Sequence, residues 1–275
     1  MLDEMKKSII LSVPGKIIIS GEHAVVYGHP ALAAAINKRI VLTVSFKKNG
    51  FDFCFQSKLP SKLGLGSSAS LAVLEAAGLS MIIGNKELDR KIINEIAYDL
   101  EKVAHGTPSG ADNTIVVYGG MIIYQKGKDY LKLNLKQLPN FLLINTGKPV
   151  ENTKQMIDLV KKNNCQGKLK QIGYLPTKFV SALKEKKWLK FSQLITENEK
   201  LLEEIGVVGE KAKKIVKEIR EIGGAAKICG AGGVKRGSGI ALAYHKDLDV
   251  VRRFCKKNNL ECFEVELGED GLRKE

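Results

Sequence analysis

The stretch Lys62-Leu63-Gly64-Leu65-Gly66-Ser67-Ser68-Ala69-Ser70 decides how the chain reads. Gly64 and Gly66 let the backbone come close to a bulky anion. The residues after them open a helix that is small and apolar all round and extends to about Ile83. The first amides of such a helix have no partner within it and carry partial positive charge, so they suit a phosphate. The Gly-Lys-Ser/Thr ending of a Walker A loop is missing. Taken alone, the segment also fits a glycine-serine turn into a tightly packed helix, capped by Ser67 or Ser68.

A second constellation, His105-Gly106-Thr107-Pro108-Ser109-Gly110-Ala111-Asp112-Asn113, shifts the balance toward chemistry. It breaks an amphipathic helix whose apolar stripe is Leu88, Ile92, Ile96, Leu100 and Val103, and it starts another helix at Ser109. Glu101 and Asp112 thus flank one turn. One carboxylate can hold Mg²⁺ through oxygen, and the other can sit beside an accepting hydroxyl. As an isolated pair they read more simply, with Glu101 solvated at a helix end and Asp112 offsetting the positive end of its own helix. A third glycine turn, Gly230-Ala231-Gly232-Gly233, follows a strand and is, taken alone, a hairpin connector. Near the N-terminus, Lys16 and Gly21-Glu22-His23 lie at the end of another strand, where a lone histidine is ordinarily structural.

With 275 residues, 44% of them hydrophobic, the chain can bury a sizeable core and is not disordered. Its net charge is +14. The lysines are spread through amphipathic segments and aromatics make up 6%, so the charge reads as a solvated face that attracts anionic substrates. No nucleic-acid partner is expected. Five cysteines without CxxC spacing suggest neither a zinc site nor a disulfide framework, and reduced thiols point to a cytoplasmic location. No apolar run reaches membrane-spanning length, and the short one at 9–13 is interrupted before it could serve as a secretory signal.

Strand pairs are expected at 9–13 and 17–20 around Pro14-Gly15, and at 39–46 and 51–56 around Asn49-Gly50. Another strand covers 121–124, and the domain boundary falls between 139 and 140. The second half reads as strand 141–145, helix 153–162, two helices to about 205, helix 209–222, strands 225–229 and 239–244, helix 247–257 and strand 261–265. Strict βαβ periodicity is lacking, so the class is α+β.

Taken jointly and in order, the three glycine-rich segments resemble the GHMP kinases, the small-molecule kinases that include galactokinase, homoserine kinase, mevalonate kinase and phosphomevalonate kinase. Pro14-Gly15-Lys16, Gly21-Glu22-His23-Ala24-Val25-Val26-Tyr27-Gly28, the 105–113 segment, Asn145-Thr146 with Thr153, and the Asn198 to Val208 stretch all carry the likeness. It implies a two-lobed fold, with a ribosomal protein S5 domain 2-like lobe over 1–139, a ferredoxin-like lobe over 140–275 and the site between them. It also implies ATP and Mg²⁺. By the same resemblance, Asp112 is the catalytic carboxylate and Lys16 its cationic partner. Gly64, Leu65, Gly66, Ser67, Ser68 and Ala69 wrap the ATP phosphates, and Ser68 and Glu101 hold the metal. Glu22, His23, Thr153, Gly230, Ala231 and Gly232 lie on the acceptor side.

The Gly21 to Gly28 run favours mevalonate as acceptor, because galactokinases tend to carry Gly-Glu-His-Thr-Asp there, and Asp112 weighs against homoserine. Phosphomevalonate or homoserine as acceptor, or a non-catalytic ligand sensor on the same fold, are the competing readings. No membrane partner is expected, and a homodimer is compatible with the reading. Three features depart from the family pattern: the short distance from Tyr27 to Gly64, the Val234-Lys235-Arg236 interruption of the last glycine motif, and Cys229, which reads as core.

Overall fold

The computed structural model describes residues 8–60, 63–84, 87–106, 108–135 and 138–275, so Lys62 and Thr107 of the two quoted motifs lie outside the described residues. Strand β1 (Ser8–Ser20) runs unbroken through Pro14 and Gly15, where a turn between two strands was expected. Its register against β2 (Ala31–Lys47) shifts between those two residues. The extra residues lie in β2, where Asn37 and Lys38 bulge opposite Pro14-Gly15, so the Pro-Gly pair sits at a ladder irregularity without ending β1. A single 3-10 turn (Ala24–Tyr27) links β1 to β2. The hairpin at Asn49-Gly50 forms as expected: β3 (Gly50–Ser57) pairs with β2, with Lys47 opposite Gly50.

Three helices follow, α1 (Ser67–Ile82), α2 (Arg90–His105) and α3 (Ala111–Tyr118), and α1 and α3 pack on β1 and β2. Helix α1 is buried along most of its length, as its uniformly small and apolar composition requires. Helix α2 overturns its expected inner stripe. Ile92, Ile96, Leu100 and Val103 are exposed, while Ile93, Ala97 and Glu101 face inward. The face with the bulkier side chains is not the packed one, because α1 lies against small residues and Glu101 has a partner there. Strand β4 (Met121–Tyr124) pairs with the first residues of β2, Ala31 to Ala34, and β5 (Leu131–Lys132) extends the sheet from β4.

The second sheet collects β6 (Phe141–Gly147), β7 (Ala225–Ile228), β8 (Gly239–Tyr244) and β9 (Cys262–Val265) in the antiparallel order β7-β8-β6-β9. Between β6 and β7 run α4 (Thr153–Lys162), α5 (Gln166–Lys184), α6 (Trp188–Glu204) and α7 (Glu210–Glu221), and α8 (Leu248–Lys257) precedes β9. Alternation along β6 decides which helices it meets. Leu142 and Ile144 pack with Ile215, Val216, Ile219 and Val251 of α7 and α8, whereas Phe141 and Leu143 join the main core with Phe179 and Phe191 of α5 and α6. Helix α5 also packs against β1 and β2, so one core runs through both sheets.

A short last strand, β10 (Arg273–Lys274), was not foreseen. It returns to β1 and makes the first sheet β10-β1-β2-β4-β5, with β3 also on β2. The approach to it is pinned by Leu272 N–H to the Val117 carbonyl (3.0 Å) and Gly120 N–H to the Glu269 carbonyl (2.7 Å). Arg39 adds bonds to the Asp270 and Gly271 carbonyls at 2.7 and 2.8 Å. The tail thus clamps the C-terminal end of α3, the helix whose first turn carries Asp112.

Candidate active site

The mouth of α1 is where the sequence motifs meet. Gly66, not Ser67 or Ser68, is the N-cap of α1; it holds a left-handed conformation (φ 84°), and no side chain caps the helix. Lys16 projects from β1 against this glycine, so closely that a Cβ on Gly66 would lie 2.6 Å from Lys16 Cγ. The Lys16 amide also donates to the Leu65 carbonyl at 2.9 Å. From there the Lys16 ammonium reaches Asp112 Oδ2 at 2.9 Å. The lysine side chain is 4% exposed and the aspartate 41%, so the carboxylate is the solvent-facing partner with its cation buried behind it. Asp112 stands in the first turn of α3, where the helix amides favour a negative charge. That helix is held from three sides: Asn113 Nδ2 donates to Asn94 Oδ1 of α2 (2.8 Å), Thr114 back-bonds to the Gly110 carbonyl (2.7 Å), and Tyr124 donates to the Ser109 carbonyl (2.7 Å).

The serine expected to cap α1 points elsewhere. Ser68 Oγ donates to Glu101 Oε1 at 2.6 Å, joining the first turn of α1 to the last turns of α2. Glu101 is buried. A hydroxyl and a carboxylate side by side at the mouth of α1 form an oxygen-only donor pair, which suits Mg²⁺. That ion takes one or two protein oxygens and fills its remaining positions with water and phosphate. No cluster of three or more metal-binding side chains of the His, Cys, Asp and Glu types occurs among the described residues.

On the other side of Lys16, the turn after β1 contacts the second sheet. His23 adopts φ 59°, and its Nε2 lies 3.0 Å from the Ala231 carbonyl. Burial drives the His23 pKa down to about 4 against the pull of that carbonyl, so the ring is neutral at pH 7 and Nε2–H is the donor. Glu22 is buried and ion-paired through Oε1 with Lys227 of β7, a residue the sequence reading did not single out. Lys227 also donates to the Ile228 carbonyl at 2.7 Å, and the Ile228 amide donates to Glu199 of α6 at 2.8 Å. A lysine in a four-residue strand buried at every position was the available signal, since such a group demands a carboxylate.

The 229–239 turn itself is knitted by Thr146 and Ser238. Thr146 Oγ1 donates to the Gly239 carbonyl (2.8 Å) and accepts from the Ser238 amide (3.0 Å), and Ser238 Oγ donates to the Gly233 carbonyl (2.8 Å). Val234, Lys235 and Arg236 form an exposed excursion. Cys229 is core, and burial lifts its thiol to about 11, which makes it a poor nucleophile at neutral pH. Thr153 opens α4 after an Asn152 cap and is exposed. Among the described residues no hydrogen bond joins it to Glu22 or His23. Its approach segment does meet the turn, because the Val234 amide donates to Glu151 at 3.3 Å.

The GHMP kinases N terminal domain model matches residues 31–120, and the GHMP kinases C terminal model matches residues 179–260. The chain belongs to the GHMP kinase family. It is 28% identical to the mevalonate kinase of Thermococcus gammatolerans, over 97% of this chain and 98% of that protein. That alignment spans 335 positions although this chain has 275 residues, so the relative carries residues that this GHMP kinase lacks. The fold matches the crystal structure of L. major mevalonate kinase in complex with R-mevalonate, with a TM-score of 0.79 at 23% identity, over 97% of this chain and 99% of that one. It matches Lactococcus lactis galactokinase complexed with galactose equally well, with a TM-score of 0.80 at 15% identity over 98% and 96% of the two chains. The fold alone therefore does not select the acceptor. Among the described residues no helix is long and apolar enough to cross a membrane.

Proposed function

We propose that this GHMP kinase transfers the γ-phosphoryl group of ATP to the primary hydroxyl of mevalonate, giving 5-phosphomevalonate and ADP. The observation that carries the catalytic part is the 2.9 Å Lys16–Asp112 pair set against the glycine mouth of α1. The choice of acceptor is supported by sequence likeness to relatives named mevalonate kinase, which extends over nearly the whole chain.

Phosphoryl transfer asks the protein for alignment and charge neutralisation more than for a strong base. Residues Gly64 to Ala69 present backbone amides to the ATP phosphates, and the N-terminal end of α1 adds its partial positive charge. Asp112 accepts a hydrogen bond from the acceptor hydroxyl, orients its oxygen for in-line attack on the γ-phosphorus, and takes the proton as the bond to ADP breaks. Lys16 pairs with Asp112 at 2.9 Å and faces the negative charge that gathers on the transferring group. Ser68 and Glu101 would hold Mg²⁺, which when bound neutralises phosphate charge. Glu22, His23, Thr153 and the Gly230-Ala231-Gly232 turn form the acceptor side, in the cleft between lobes 1–139 and 140–275.

A coupled ADP-release assay with mevalonate, phosphomevalonate, homoserine and galactose tests the assignment. Turnover is expected with mevalonate. Preferential turnover of another acceptor would overturn the substrate, and no turnover with any of the four would favour the non-catalytic sensor.

A further inference from the structure

Behind the Lys16–Asp112 pair lies a buried array of charges that phosphoryl transfer does not itself require. Glu22 sits within electrostatic reach of Lys16 as well as of Lys227, and Lys227 feels Glu199 in turn. Asp112, Lys16, Glu22 and Lys227 therefore alternate in sign, running inward from the part-exposed Asp112, and Glu199 lies beyond Lys227. Lys227 and Glu199 are both fully buried, and neither can touch a substrate. The array is drawn from α3, β1, the turn after β1, β7 and α6, and so it spans both sheets.

One oxygen of Glu22 is occupied by Lys227, whereas Oε2 is buried and has no hydrogen-bond partner. Burial raises the Glu22 pKa even against Lys227 and Lys16. Burial alone would depress Lys227, but Glu22, Cys229 and Glu199 together lift it above the ordinary lysine value. Protonating Glu22 would leave a wholly buried ammonium with little more than one carbonyl oxygen, so the ionised pair is the state we assign. An ionised, buried carboxylate with an unused oxygen is a strong competitor for a neighbouring cation, and apart from Lys227 the cation that acts on Glu22 is Lys16.

We propose that Lys227 is a positioning residue for phosphoryl transfer: by occupying Glu22 it leaves the Lys16 ammonium to Asp112. The inference rests on the kinase reading above for its consequence on rate, but not for its geometry. Lys227→Met removes the counter-ion and leaves Glu22 to recruit Lys16. A crystal structure of that variant without substrate should show Lys16 Nζ at hydrogen-bond distance from the Glu22 carboxylate and withdrawn from Asp112. Its kcat should fall at least tenfold while the Kd for ATP stays within twofold, a split that general loosening of the fold would not produce.

Lys16 still on Asp112 together with kcat within twofold of wild type would overturn the proposal. A second comparison does not need Lys227→Met to fold. The double variant Glu22→Gln with Lys227→Met buries no unpaired charge, and it is set against Glu22→Gln alone. If Lys227 acts only through the Glu22 charge, the two have the same kcat within twofold, because the effects of coupled groups are not additive. A double variant tenfold slower than the single would show that Lys227 has a separate role and would sink the idea. Failure of the kinase reading is distinguishable: wild-type protein inactive on mevalonate would overturn that reading, while the crystallographic position of Lys16 in Lys227→Met would still decide this one.

Discussion

Gly66→Ala is the sharpest probe of the site, because the structure shows which atom the new methyl group meets. Gly66 caps α1 at φ 84°, and an added Cβ would lie 2.6 Å from Lys16 Cγ and 3.0 Å from Lys16 Cε. Cγ lies near the root of the side chain, and the Lys16 backbone is itself tied to Leu65, so the lysine cannot simply swing its tip aside. The left-handed conformation costs an alanine roughly 1–2 kcal/mol, equivalent to a few degrees of Tm in a chain of this size. That part is shared by Gly127→Ala, since Gly127 has φ 78° and open space where its Cβ would go. Only the Gly66 variant also pushes Lys16 away from its 2.9 Å contact with Asp112. Displacing a catalytic group by about an ångström can cost on the order of 100-fold in rate. Gly66→Ala is therefore expected to lose at least tenfold in kcat at a temperature where both variants are folded, and Gly127→Ala to lose a similar amount of Tm with kcat unchanged. Thermal unfolding and ADP release on the same preparations check this. A Gly66→Ala enzyme with kcat within twofold of wild type would show that the seating of Lys16 against Gly66 does not govern the rate.

Asp112→Asn keeps the shape of the first turn of α3 but removes the charge facing Lys16, so kcat is expected to fall by about 100-fold or more while ATP affinity measured by titration stays near wild type. Near-normal kcat would remove Asp112 from the chemistry. Glu101→Ala takes away one of the two adjoining oxygens at the mouth of α1 and should raise the half-saturating Mg²⁺ concentration, whereas an unchanged Mg²⁺ titration would take Glu101 out of the metal shell. Glu199 gives a pH signature: burial, only partly offset by the Ile228 amide and Lys227, pushes its carboxyl up to about 7 from the ordinary 4.5. The folded state then holds a proton that the unfolded chain releases, so this group's contribution to stability is present below about pH 4.5 and is lost as pH rises to about 7, amounting to about 3 kcal/mol. Glu199→Gln should accordingly gain Tm relative to wild type between pH 5 and pH 8, and a difference that does not change with pH would refute the shift.

What the sequence disclosed and what it hid follow from the range of the interactions involved. The Asn49-Gly50 hairpin, the α4 boundaries and the all-round apolar α1 depend on local turn chemistry and periodicity, and they formed where expected. Pro14-Gly15 misled because a proline and a glycine fit opposite a bulge as readily as in a turn, and the bulge lies in the partner strand at Asn37 and Lys38. The α2 stripe misled for a different reason. Periodicity ranks residues by size and polarity, but the packed face of α2 carries Ala97 and Glu101, chosen for close approach to α1 and for Ser68. The Lys16–Asp112 and Ser68–Glu101 contacts both join residues that the motifs had already singled out. Lys227 and Glu199 were missed because their partners lie far away in sequence, and a lysine or glutamate in isolation reads as solvated.

The glycine motifs also have to be understood as packing devices, which limits what a glycine pattern can prove about phosphate. A Cβ on Gly64 would lie 3.2 Å from the Cys229 carbonyl oxygen, and one on Gly239 would lie 2.8 Å from the Leu63 carbonyl. The Ile240 amide donates to that same Leu63 carbonyl at 3.2 Å. The 63–66 loop is thus pressed between Lys16 of the first sheet and the turn after β7 of the second, backbone against backbone. Part of the glycine content at this site is required to let the two sheets meet at all, before any nucleotide arrives. The same contacts mean that Lys16, the 63–66 loop and the 230–233 turn share one set of atomic positions. A substitution made to loosen the grip on phosphate at Gly64 would therefore also move the second sheet against the first, and its effect would extend to the acceptor as well as to ATP.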